Sequence, residues 1–219
     1  MSGLPGEFTI AVIAKECIPG KVKTRLTPTL TSQEAAGLAQ ISLSQTLRNV
    51  RKVPASRRLL VMDGVPLAGD SAGFCVVPQG VGGLDDRLGA ICDGVDGPLL
   101  ILGMDTPQFT PELLAPLLAD WGMKQPACQS WLGLADDGGY WAIALHRPDG
   151  RLIRGVPMST SHTGRDQLSR LHSVGHVVGD LGCLIDVDTF PAALRVAQEC
   201  IGTPFAEAVQ ALVEGREPA

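Results

Sequence analysis

Between Lys15 and Arg25 the sequence places Lys15, Lys21, Lys23 and Arg25 against one acid, Glu16, with Gly20 among them. Basic side chains beside free loop amides suit a di- or triphosphate, whose charge has to be matched on several sides. Gly20 would let the backbone come close to such a ligand. A solvated loop with its lysines in water is the alternative, and the position directly after the apolar, β-branched run Phe8–Ala14 favours phosphate. Asp105 follows a second apolar run, Pro98–Gly103. A carboxylate there can hold Mg²⁺, which keeps several waters and takes one or two carboxylates plus substrate phosphates; it can equally support the local turn. Asp186 and Asp188, two apart on an extended segment, point to the same side, so one cation could bridge them. Asp188 is also placed to cap the next helix, and the two roles are compatible. Asp136–Tyr140 carries strong turn signals that plain hairpin chemistry explains. Ser159–His162 is a polar cluster suited to a sugar-contacting loop or to the cap region of a helix.

Other patterns fail on inspection. Gly20-Lys21 resembles the end of a phosphate-binding P-loop, but Val22 follows where Ser or Thr is needed, and Lys15 holds the earlier glycine position. Gly80–Asp85 starts like a dinucleotide fingerprint and has Asp85 where its third glycine belongs. Gly69–Gly73 matches the nucleophile-elbow pattern around Ser71, yet it lacks the strand before and helix after that the elbow requires. His146, His162, His172 and His176 form no ligand spacing.

These residues need elements to position them. Phe8–Ala14 and Pro98–Gly103 read as buried strands, and Arg57–Asp63 and Phe74–Pro78 as strands. Thr31 with Glu34 makes a capping box for a helix to about Val50. A helix is expected from about Leu84 to Cys92, and another from the Thr110-Pro111 pair to about Trp121. Residues 127–134 and 140–145 read as two adjacent strands around the turn at 135–139. Thr163 with Asp166 is expected to cap the next helix, and two more cover 188–202 and 203–215. Strands alternating with helices imply βαβ units and a parallel sheet, with ligands at the carboxyl ends of strands. The adjacent strands of the second half make that sheet a mixed one.

Composition bounds the rest. A chain of 219 residues, 45% apolar and 19% charged, can bury one well-cored domain. The net charge of −5 excludes a surface made wholly for phosphate backbone, and 4% aromatic residues argues against stacking platforms for single strands. No two of the six cysteines lie closer than 17 residues, so metal-ribbon spacing is absent and small buried hydrophobes are the expectation. No secretory signal or membrane-length apolar run is read, and a soluble, cytoplasmic protein is expected.

The segments AKECIPGKVKTRLTPTLTSQEAA, QGVGGLDDRL, LLILGMDTP, ADDGGYW, the MST…TG stretch and LIDVDT, in this order, resemble the DUF2064 family of bacterial GT-A-like glycosyltransferases. That family is akin to the phospholactate guanylyltransferases within the nucleotide-diphospho-sugar transferase superfamily. The resemblance implies an α/β, single-domain GT-A-like fold over residues 1–219, with a mixed, mostly parallel sheet flanked by helices. It implies Lys15, Gly20, Lys21, Lys23 and Arg25 at the nucleotide phosphates, and Gly138 and Gly139 with Asp137 near donor or acceptor. Asp105, Asp186 and Asp188 would hold Mg²⁺ or Mn²⁺; Asp105 and Asp137 would be the catalytic acids, Asp137 as a weak general base. Met158 stands where the family usually has Trp. The implied activity is metal-dependent transfer from a nucleotide-sugar donor to a small acceptor. Guanylyltransferase-like nucleotidyl transfer to a small phosphorylated acceptor is the alternative, and non-catalytic nucleotide binding the third. Neither nucleic acid nor membrane is an expected partner.

Overall fold

A computed structural model describes residues 7–216. The strands are β1 (Thr9–Lys15), β2 (Arg57–Asp63), β3 (Cys75–Pro78), β4 (Leu99–Leu102), β5 (Ser130–Leu134), β6 (Tyr140–Leu145) and β7 (Val178–Asp180). The helices are α1 (Ser32–Val50), α2 (Ala68–Ser71), α3 (Leu84–Asp93), α4 (Ala115–Trp121), α5 (Thr163–Ser173), α6 (Phe190–Glu199) and α7 (Pro204–Glu214). The strands form one seven-stranded sheet in the order β3-β2-β1-β4-β6-β5-β7. Parallel pairing links β3, β2, β1 and β4, while β6 runs antiparallel to both its neighbours, β4 and β5. The sheet is thus mixed and mostly parallel, and the fold is α/β.

Strand order reverses beside β1: the chain passes outward through β2 and β3, then returns to lay β4 on the other side of β1. Crossovers leave β1 and β4 on opposite sides of such a switch, which opens a crevice at their carboxyl ends. Lys15 ends β1, and Asp105 follows β4 by three residues.

Alternating side chains of β1 feed two cores. Ile10, Val12 and Ala14 pack with Leu43 and Leu47 of α1, whereas Ala11 packs with Leu88 and Ile91 of α3. A third cluster joins α1 to α6 and α7 and includes Leu26 and Leu30 of the first loop, so the basic segment is pinned at its far end by buried leucines. Burying a leucine side chain is worth about 1.5–3 kcal/mol.

Local signals explain most boundaries. Glu34 N donates to Thr31 Oγ1 at 3.2 Å and Thr31 N donates to Glu34 Oε2 at 2.7 Å, completing the expected capping box. Three expectations change. Thr163 lies inside α5 rather than capping it, and its hydroxyl donates to the Pro157 carbonyl at 2.9 Å. Thr189, not Asp188, caps α6 by accepting from Ala192 N at 3.3 Å, which leaves the Asp188 carboxylate to other partners. The six cysteines are free, yet only Cys92 is buried, because most of the others fall at element ends and in loops where apolar neighbours do not guarantee an inward side chain. Among the described residues no helix is long and apolar enough to cross a membrane.

Candidate functional site

The crevice at the carboxyl ends of β1 and β4 is a cavity of about 490 Å³. Its basic lining comes from Lys15, Lys23 and Arg25 of the first loop and Arg87 of α3. Asp105, Asp137, Asp186 and Asp188 supply the acidic lining, and Tyr140, Trp141 and Met158 the apolar wall. Ser159 and Thr160 also line the cavity. A cavity of this size falls within the range of small-molecule sites.

Lys23 organises the charge. Its Nζ donates to Asp188 Oδ1 at 2.6 Å and to Asp105 Oδ2 at 2.8 Å, and its side chain is only 9% exposed. Arg25, mostly exposed, adds a longer contact to Asp188 Oδ2 at 3.3 Å. Burial works against the Lys23 charge, but the carboxylates of Asp105 and Asp188 outweigh it and hold the ammonium above its ordinary pKa. Burial likewise opposes ionisation of Asp105, and Lys23 more than offsets it, so that carboxyl sits below the usual range.

Asp186 is the odd member. Its Oδ1 is buried and has no hydrogen-bond partner. Burial first, then the nearby charges of Asp105 and Asp137, push its carboxyl up to about 8. The segment carrying it is stitched to the loop after β4 by Val187 N donating to the Asp105 carbonyl at 3.0 Å. Asp188 N donates to the Asp186 carbonyl at 2.9 Å, so the segment bends tightly between its two acids instead of running as a strand.

Among the described residues no group of three His, Cys, Asp or Glu side chains gathers closely enough to hold an ion, and two of the cavity's carboxylates are paired with Lys23. The donor set nevertheless fits a hard divalent cation. Asp105 and Asp188 already share one cationic centre, and the unpartnered oxygen of Asp186 belongs to the same cavity.

Two residues without an assignment from sequence complete the site. Gln79 donates to the Ala14 carbonyl at 2.6 Å and accepts from Arg87 Nη1 at 3.0 Å, holding the guanidinium against the end of β1. The stretch QGVGGLDDRL signalled them as a motif, without giving a role. Gly20 and Lys21 do not line the cavity; Gly20 adopts φ +78° in the turn closed by Lys21 N donating to the Ile18 carbonyl at 3.0 Å. The exposed Lys15 turns back to donate to the Lys21 carbonyl at 3.3 Å. Asp137 is exposed at the cavity edge, where Oδ1 accepts from Gly139 N at 2.7 Å. Gly139 lines the cavity. Gly138 sits behind it, at φ +92°, where any Cβ would collide with the Ser161 carbonyl.

The family model described as uncharacterized protein conserved in bacteria (DUF2064) matches residues 46–160. The chain belongs to the DUF2064 family. The matched segment takes in Gln79, Arg87, Asp105, Asp137 and Ser159, while Lys23, Asp186 and Asp188 reach the cavity from outside it. No curated protein matches this DUF2064 chain. Among solved structures it is similar to a protein from Desulfovibrio desulfuricans G20 assigned as a nucleotide-diphospho-sugar transferase. That match has 20% identity over 96% of this chain and 98% of the other, with a TM-score of 0.81. Rv0371c from Mycobacterium tuberculosis H37Rv, in complex with manganese, matches at 22% identity over 87% of this chain and 97% of its own, with a TM-score of 0.54. A CMP:2-keto-3-deoxy-manno-octonic acid synthetase complexed with CTP matches at 16% identity over 89% and 100%, also with a TM-score of 0.54. At these identities the likeness is one of fold.

Proposed function

We propose that this DUF2064 protein is a transferase that uses a nucleotide-sugar donor, with Mg²⁺ or Mn²⁺, to glycosylate a small acceptor. The observation that carries this reading is one cavity at the strand switch lined by four carboxylates and by the cations of the first loop. Asp105, Asp186 and Asp188 would hold the cation. When bound, it neutralises charge developing on a leaving nucleoside diphosphate. Lys15 and Arg25, with Lys21 nearby in the same loop, provide further positive charge for the phosphates. Arg87, braced by Gln79, adds a planar guanidinium that can pair with phosphate through two N–H groups. Ser159 and Thr160 offer hydroxyls on the acceptor side. The folds of a transferase assigned to nucleotide-diphospho-sugars and of a manganese complex support the reading.

Nucleotidyl transfer to a phosphorylated acceptor is the second reading, and the weakness of the general base favours it. Asp137, exposed and already accepting from Gly139, is a poor proton acceptor for a hydroxyl nucleophile. An acceptor phosphate is anionic already and needs no base.

Calorimetry with UDP, GDP, GTP and their sugar conjugates, with and without Mg²⁺ or Mn²⁺, tests the site. Metal-dependent binding is expected; its absence for every nucleotide overturns the reading. Product analysis then separates the two transfers, because glycosyl transfer releases a nucleoside diphosphate and nucleotidyl transfer releases pyrophosphate. Binding without turnover would leave a nucleotide-binding protein.

A further inference from the structure

We propose that Lys23 is an internal counter-cation that takes the place of a divalent metal between Asp105 and Asp188 and must be displaced before the metal binds, an inference that rests on the metal-assisted reading above. Its Nζ lies 2.6 Å from Asp188 Oδ1 and 2.8 Å from Asp105 Oδ2, so one oxygen of each carboxylate is already engaged by an ammonium. Two cations cannot share that space. Lys23 holds its place firmly: the side chain is 9% exposed, against 72% for Arg25. The backbone is committed as well, since Lys23 adopts φ 48°, ψ 42°, a left-handed conformation that a lysine rarely takes. Val22 and Leu26 on either side are both 1% exposed, so release has to be a swing of the flexible side chain and not a rearrangement of the loop. Asp186 Oδ1, buried and without a hydrogen-bond partner, is not reached by the ammonium.

The consequence is competition. A divalent cation binds only the fraction of molecules in which Lys23 has moved away, and its apparent affinity is reduced by that fraction. The displaced ammonium stays within a cavity that Lys15 and Arg25 also line, where donor phosphates become its natural partner. Metal and nucleotide would therefore each favour the other's binding.

Manganese titration followed by the EPR signal of free Mn²⁺, without nucleotide, tests this on the wild-type protein, Lys23→Met and Lys23→Arg. Lys23→Met removes the ammonium at similar length and is expected to bind Mn²⁺ at least tenfold more tightly than wild type. Lys23→Arg keeps the charge and is expected to bind no more tightly than wild type. Equal affinity of wild type and Lys23→Met overturns the counter-cation role while leaving the metal-assisted reading intact. Failure of both to bind Mn²⁺, with or without nucleotide, overturns that reading and this inference with it. A measurement on the wild type guards against a variant that fails to fold. Acetylation by an amine-reactive ester, followed by mass spectrometry, is expected to be slower at Lys23 than at exposed Lys21, and to accelerate at Lys23 alone on adding Mn²⁺. No acceleration overturns the proposal.

Discussion

Lys23 and Asp188 stand 165 positions apart in the chain and 2.6 Å apart in the fold. That pairing ties the first loop to the segment before α6, and it exists because Thr189 takes the capping duty Asp188 could have had. Removing the carboxylate leaves Lys23 with Asp105 and strips Arg25 of its contact. Asp188 is 35% exposed, so solvent screens the pair and the cost of Asp188→Asn is expected to be about 1 kcal/mol. Thermal unfolding in EDTA at pH 7 should show a melting temperature lowered by about 2–4 °C, the shift expected of 1 kcal/mol in a chain of this size. An unchanged melting temperature would mean the pair contributes nothing to stability.

Asp105→Ala separates catalysis from binding. The carboxylate faces the cavity after β4, where its contact from another segment of the chain is Lys23. Loss of one preorganised charge at a transfer site typically lowers turnover by about 10²–10³-fold. Steady-state turnover of the variant is expected to fall in that range, with nucleotide affinity in EDTA retained. Full turnover by the variant would place the chemistry elsewhere.

Much of this site could be read before any fold was known, for reasons that differ by residue. The loop after β1 was legible because a short β-branched run ended in four cations, and the carboxyl-end rule then pointed to Asp105. The capping box at Thr31 and Glu34 was legible because its chemistry lies within one turn. What escaped depended on distance. Nothing near Lys23 in sequence shows that its ammonium meets carboxylates 82 and 165 positions away, and so a residue read as a phosphate ligand emerges paired to acids. Gln79 and Arg87 escaped because their role is a brace across β1, a contact set by strand order. β7, three residues long, is too short to show alternation.

Asp186 gives the metal-free protein a pH dependence whose sign is fixed by its environment. The carboxyl titrates near 3.8 when unfolded and is pushed up to about 8 in the fold. Between those values the native state holds a proton that the unfolded chain has released. Stability from this group is therefore fully present below about pH 4 and is lost as pH rises through about 8. In EDTA, Asp186→Asn is expected to melt higher than wild type at pH 8, with the gap closing toward pH 4. Each kcal/mol recovered should raise the melting temperature by about 2–4 °C. A gap that is constant with pH would show that Asp186 is ionised throughout.

Two glycines with the same backbone handedness should respond differently to the same change. Gly20, at φ +78°, has open space where a Cβ would sit, so Gly20→Ala carries only the left-handed strain of about 1–2 kcal/mol. Gly138, at φ +92°, carries that strain and a collision with the Ser161 carbonyl, which cannot swing aside as a side chain would. The 135–139 turn or the 159–162 loop has to move to admit the methyl. Gly164 N, donating to the Gly138 carbonyl at 2.8 Å, couples the two, so the shift reaches Ser159 and Thr160 at the cavity wall. Gly138→Ala is therefore expected to lower the melting temperature at least twice as far as Gly20→Ala. Because the disturbed wall is the proposed acceptor side, acceptor KM should rise several-fold with donor affinity close to wild type. Equal effects of the two substitutions, or a loss of donor affinity alone, would show that the Gly138–Ser161 contact does not shape the acceptor side.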